Sequence, residues 1–184
     1  MVQATRKVAR ASGGRPVPTD NLHVTLAFLG SVPERQVPRL AEIARAAAKA
    51  AAGEAPGGVL ASGSSPRAAL ELAFDRLEYW RAARLLCAMP AEPQPPVAAL
   101  AGALQDLLGA DGFTPDLKSP WSVGLGMSRQ FRPHVTVARN VRPPHRGMGM
   151  DPVIWSFADF ALADSKTLPE GSVYTVLERY PLGH

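Results

Sequence analysis

The sequence predicts an α+β fold, and three observations carry that expectation. Two segments, ERQVPRLAEIARAAAKAAAG and VAALAGALQDLLGADG, place apolar residues at helical spacing and end at glycines. LHVTLAFL and FRPHVTVARN instead alternate with a period of two, as half-buried strands do. Helix-like and strand-like segments also mix without the strict alternation that a parallel sheet requires. With 184 residues the chain is long enough for one domain, or one domain of two lobes, around a real core, so residues 1–184 are expected to form a single domain.

Taken in order, residues 2–11 read as the end of a helix closed by Gly13-Gly14. LHVTLAFL puts Leu22, Val24, Leu26 and Phe28 on one face of a strand and His23, Thr25 and Ala27 on the other. The first Ala-rich helix follows Pro33, with Leu40, Ile43 and Ala47 in phase; Pro38 limits how early its regular part begins and Gly53 ends it. GGVLASG, AALELAFDRLEYW and ARLLCAMP read as short strands, and a Pro-rich stretch leads into the second helix. TPDLKSPWSVGLGMSRQ, residues 114–130, reads as a long polar loop, either a flap or a spacer. FRPHVTVARN is the next strand, and VIWSFADFALADSKTL with SVYTVLERYPL close the chain as a hairpin across LPEG.

Composition narrows the function classes. At 46% hydrophobic and 20% charged, this is an ordinary globular chain, and no apolar run approaches the ~20 residues that cross a bilayer, so no membrane partner is expected. The single cysteine, Cys87, cannot form an internal disulfide or a cysteine-based metal cluster. A reducing cytoplasm is the natural home, and Cys87, in the apolar run RLLCAMP, is expected to be packed rather than reactive. The basic N-terminus has no apolar core followed by a cleavage site, so it is not a secretory signal. A net charge of +4 points weakly toward a polyanionic partner, and the denser basic group, Arg129 to Arg146, surrounds FRPHVTVARN.

The informative feature is an internal echo. HVTLAF at residues 23–28 and HVTVAR at 134–139 share His-Val-Thr, an aliphatic residue and Ala. On a strand, i and i+2 share a face, so His23 lies with Thr25 and His134 with Thr136. If the two strands face each other, two imidazoles and two hydroxyls converge on one small volume. One imidazole can then take a proton from an attacking water while the other gives one to the leaving oxygen, and the hydroxyls can donate to phosphate oxygens. Taken singly, a strand histidine is more often a satisfied half-buried side chain, and a five-residue echo can arise by chance. Repetition of His and Thr in phase favours the catalytic reading. Metal binding is a minor competitor, because two histidines lack companion ligands; no metal and no cofactor is expected.

At these residues the chain resembles the two-histidine phosphoesterase superfamily, in its LigT/ThpR-type branch of RNA 2′,3′-cyclic phosphodiesterases, also called 2′-5′ RNA ligases. HVTLAFLG and FRPHVTVAR are similar to the family's paired His-x-Thr-x signatures. GGRPVPTDNLHVTLAFLG, LELAFDRLEYW and LADSKTLPEGSVYTVLERYPL extend the likeness over most of the chain from Gly13. The resemblance implies a bilobal α+β fold with two antiparallel-rich sheets, flanking helices and pseudo-twofold symmetry about a central cleft holding one motif from each lobe. It implies hydrolysis of a ribose 2′,3′-cyclic phosphate to a 2′-phosphate, on RNA ends or cyclic nucleotides, by a monomer. His23 and His134 carry over as the acid/base pair, with His134 expected to activate water, and Thr25 and Thr136 as phosphate ligands. Arg139 matches a nucleotide-binding position; Arg132 is a further candidate for substrate binding, with a solvated rim charge as its alternative. Phe131, Trp80 and Trp121 could stack on bases, although core packing is the better expectation for each. His145 and His184 are expected to be exposed bystanders. RNA 2′-5′ ligation and a non-catalytic RNA- or nucleotide-binding module remain as alternatives.

Relatives usually begin with an apolar strand and a full helix before the Gly-Gly-Arg region, whereas here only QATRKVARAS precedes Gly13. The first strand is therefore expected to be missing, leaving an open sheet edge near His23 and a chain truncated relative to a working enzyme.

Overall fold

The computed structural model describes residues 8–53, 70–113, 131–143, 150–168 and 171–182. The expected strand at 57–63, the loop at 114–130 with Trp121, His145, His184 and the first seven residues lie outside the described residues.

The strands are β1 (Arg15–Pro16), β2 (Leu70–Phe74), β3 (Arg76–Trp80), β4 (Leu85–Met89), β5 (Val135–Arg139), β6 (Val153–Phe157), β7 (Asp159–Leu168) and β8 (Gly171–Pro181). A four-stranded sheet takes the order β1-β5-β4-β3, while β2 pairs with β6 and β7 with β8. The β1–β5, β3–β4, β4–β5 and β7–β8 ladders are antiparallel. The two long helices among the described residues are α1 (Val37–Gly53) and α2 (Pro95–Ala110). This is the α+β architecture the sequence predicts.

The chain divides into two compact units: residues 1–26, 72–95 and 116–155, and residues 27–71, 96–115 and 156–184. Both His-Val-Thr segments fall in the first unit, so the motifs are not divided one to each compact unit as expected, because the chain crosses to the second unit only after Leu26.

The first unit is organised by β4, whose residues Leu85–Met89 are all buried. Two covered faces explain why LLCAM reads as a continuous apolar run instead of alternating. On one face Trp80, Leu85, Cys87 and Met89 form a cluster, and Leu86 and Ala88, with Val135, are buried on the other. AALELAFDRLEYW breaks into two strands at Asp75, whose N–H donates to Met89 O (3.2 Å) and whose Oδ1 accepts from Ala91 N (2.7 Å).

In the second unit, the predicted stripe Leu40, Ile43 and Ala47 is buried. An adjacent stripe of small residues, Ala41, Ala44 and Ala48, packs on Tyr180 with Phe160, Leu162 and Leu182. Pro38 sits in the first turn of α1, where its missing N–H costs nothing. The expected terminal hairpin forms, but its first arm breaks at Ala158, so that β6 joins β2 and only β7 pairs with β8.

The helix at the N-terminal end of the described chain closes as expected: Ser12 N–H donates to Val8 O (2.9 Å), and Gly13 adopts the left-handed conformation (φ 64°). Gly14 is needed for a different reason. A Cβ there would stand 2.8 Å from Val141 Cγ2 and 3.0 Å from Arg139 O, closer than packed atoms tolerate. Gly14 thus lets β1 lie against the end of β5. A Gly14→Ala variant is expected to lose about 1–3 kcal/mol, by the usual cost of overpacking, read as a lower urea midpoint with an unchanged slope.

Candidate active site

The two histidines are held alike. His134 Nδ1 lies 2.9 Å from the carbonyl oxygen of Arg132, and His23 Nδ1 lies 2.8 Å from that of Asn21, each two residues upstream. A carbonyl oxygen only accepts, so Nδ1 carries the hydrogen in both rings. In that tautomer Nε2 is the nitrogen of each imidazole that carries the lone pair.

The motif segments meet directly. Val24 forms an antiparallel bridge with Val135. In an antiparallel pair this register sets His23 across from Thr136 and Thr25 across from His134, on the face opposite the two valines. The echo seen in the sequence therefore becomes a local twofold about the Val24–Val135 pair, with histidine and threonine on crossed diagonals. The expected strand over 22–29 is reduced to this one bridge. Alternation reports which way side chains point, whereas a ladder also needs a neighbouring backbone, and within 22–29 the bridge is at Val24.

The sheet beneath these residues supplies their surroundings. Thr136 sits across from Cys87 in the β4–β5 ladder, with Oγ1 and Sγ 3.9 Å apart. Trp80 packs its ring on His134, with centroids 4.6 Å apart at 48°, and is only 8% exposed. It belongs to the core, as expected, and the imidazole is part of what it covers. Glu78, on the same face of β3, accepts from Trp80 Nε1 (2.9 Å) and from Arg132 Nη2 at both carboxylate oxygens (3.2 and 3.0 Å). Arg132 therefore shares the His134 face as expected, with its guanidinium on Glu78.

Strict alternation from His134 would send Arg139 to the opposite face of β5. The ladder prevents this. Cys87 faces Thr136 while Leu86 faces Ala138, so β5 carries one extra residue at Val137. A bulge of this kind re-aims the residues beyond it. The Arg139 charge consequently acts on His23, lowering its pKa. Arg15 lies directly across from Arg139 in the β1–β5 pair, so two basic residues stand at this end of the site.

The model of the 2′-5′ RNA ligase superfamily matches residues 2–168 of the chain. The chain belongs to the 2′-5′ RNA ligase superfamily. A relative from Thermus thermophilus, named RNA 2′,3′-cyclic phosphodiesterase, is 31% identical over 193 residues, covering 99% of this chain and 82% of the relative. Among solved structures, Escherichia coli LigT complexed with 3′-AMP superposes with a TM-score of 0.67 at 22% identity, over 99% of this chain and 91% of that one. The crystal structure of TT0787, also from Thermus thermophilus, gives 0.64 at 29% identity, over 98% and 88%. The fold is thus of the LigT type.

Within this superfamily member, both histidines have pKa values below the ordinary 6.5. For His134 the chief cause is burial, which penalises the imidazolium; His23 and Arg132 push the same way, while the Arg132 carbonyl and the Glu78 carboxylate oppose. For His23 burial again leads, although its side chain remains exposed at the surface, and Arg139 adds to it against the Asn21 carbonyl. Cys87 is buried, as expected, and burial is the first cause that pushes its thiol up to about 12, which disfavours the thiolate. Sequence reasoning missed Glu78 and Arg15. The i, i+2 spacing of Glu78 and Trp80 in RLEYW was visible, but their adjacency to His134 depends on β3 and β5 flanking β4.

Proposed function

We propose that this chain hydrolyses ribonucleotide 2′,3′-cyclic phosphates to 2′-phosphates, using His134 and His23 as a base and acid without a metal ion. The observation that supports it best is the matched tethering of both Nδ1 atoms, on two His-Val-Thr segments that the Val24–Val135 bridge brings side by side. His134 Nε2 takes a proton from water as the water oxygen bonds to phosphorus. The bond from phosphorus to the 3′ oxygen breaks, and His23 Nε2–H protonates that oxygen, leaving a free 3′-hydroxyl. Burial against Trp80 keeps His134 neutral, as a base must be. The more exposed His23 can be reprotonated from solvent, and the bound phosphate anion raises its pKa toward the working range. Thr25 and Thr136 donate to the phosphate oxygens, and Arg139 pairs with phosphate or stacks on a base. Arg132 is a further candidate for binding RNA, although its ion pair with Glu78 suits a supporting role better. The Thermus thermophilus relative's name and the 3′-AMP bound to E. coli LigT agree with a nucleotide substrate.

The test is a panel of nucleoside and oligonucleotide 2′,3′-cyclic phosphates assayed in EDTA, with the position of the product phosphate determined. Turnover to 2′-phosphate is expected, with a bell-shaped kcat/KM profile whose maximum lies below pH 6.5, because both free-enzyme pKa values are lowered. Joining of two RNA fragments without hydrolysis, or salt-dependent binding with no turnover, would replace this reading with a ligase or a binding module.

A further inference from the structure

We propose that Glu78 is a positioning residue for His134, holding the imidazole through Arg132 on one side and Trp80 on the other. The activity part of this inference rests on the acid/base role given to His134 above.

Glu78 stands across from Cys87 in the β3–β4 ladder, and Cys87 stands across from Thr136 in the β4–β5 ladder. Two strand spacings, about 10 Å, separate the Glu78 backbone from β5, and the carboxylate accepts from Trp80 and Arg132 between them. It reaches the ring through two intermediaries. The first is Arg132, gripped by Nη2 at both carboxylate oxygens; its own carbonyl receives His134 Nδ1–H at 2.9 Å. Fixing the Arg132 side chain steadies the peptide whose carbonyl sets the tautomer. The second is Trp80, whose Nε1–H donates to Glu78 Oε1 at 2.9 Å while its ring lies against the imidazole.

A carboxylate at the junction of these arms is a good choice. It accepts from an indole and a guanidinium at once, and its negative charge offsets the positive charge of Arg132 beside a ring that must accept a proton. The charged or titratable groups acting on His134 are His23, Arg132 and Glu78, with Arg76 3.7 Å from Glu78 and the neutral Cys87 on the intervening strand.

Two variants separate the arms. Glu78→Gln keeps an acceptor for Trp80 but loses the ion pair with Arg132; Trp80→Phe keeps a ring on His134 but loses the indole N–H. Imidazole nitrogen NMR of the full chain reads the outcome for each histidine separately. In the parent chain His134 is expected in the Nδ1–H form. In Glu78→Gln a mixture of tautomers and a lower His134 pKa are expected, with His23 unchanged. On cyclic phosphate, kcat should fall about 10- to 100-fold with KM altered less than about 3-fold, and the acid limb of the kcat profile should move to lower pH. Glu78→Asp should recover part of both effects, and Trp80→Phe should broaden the His134 tautomer signal without moving its pKa as far. Unchanged His134 spectra and kcat in Glu78→Gln overturn the proposal, as does an equal disturbance of His23, which would mark a general loss of structure. If the parent chain fails to hydrolyse cyclic phosphates, the proposed function falls alone, and the imidazole spectra still decide the role of Glu78.

Discussion

His134→Ala and His23→Ala variants are each expected to lose about 10²–10⁴ of kcat on a 2′,3′-cyclic phosphate, the span that one well-placed acid or base contributes. The double variant should be little worse than either single one, because the two proton transfers belong to one step and removing either partner disables both. The structure also predicts a difference between the two in stability. His134 is 8% exposed and lies against Trp80, so its truncation opens a gap in the core and lowers Tm, whereas His23 is exposed and its loss leaves Tm nearly unchanged. Rates should therefore be compared well below the lower Tm. Retention of even a tenth of the parent kcat in both single variants would remove the histidines from the mechanism.

Thr136→Val is expected to lower kcat by about 10²–10³, the usual cost of removing one hydrogen-bond donor to an oxygen that gains charge in the transition state. Valine has nearly the volume of threonine and suits a strand, so the sheet should persist. The hydroxyl also gives up little elsewhere. Among the described residues, its side-chain contact in hydrogen-bond range is the Cys87 thiol at 3.9 Å, a weak partner. A drop in kcat with Tm held, while Cys87→Ala leaves kcat within about 3-fold, would separate a role toward phosphate from a role toward the sheet. An equal loss in Cys87→Ala would instead point to the packing beneath Thr136.

Short-range information was the part of this protein that could be read along the chain. The α1 stripe of Leu40, Ile43 and Ala47, the glycine close at Gly13 and the buried run at Leu85–Met89 each depend on residues within one element, and the structure keeps them. The same holds for His134 and Thr136 on one face of the β5 segment, because a period of two is a property of the backbone itself. Boundaries were read less well where a turn residue decided them, as at Asp75 and Ala158.

Tertiary structure alone decided what surrounds those residues. That Val24 pairs with Val135, over a hundred residues away, is a matter of register, and nothing local specifies it. The extra residue at Val137 is likewise visible only against β4, yet it brings Arg139 to bear on His23. Glu78 stands in sequence as a glutamate between Leu77 and Tyr79 in a strand-like segment. Only strand order sets it two strands from His134 and gives its carboxylate Arg132 and Trp80 to hold. Side-chain direction follows from chain geometry, residue by residue; neighbours across a sheet follow from which strands meet, and that is settled when the whole core packs.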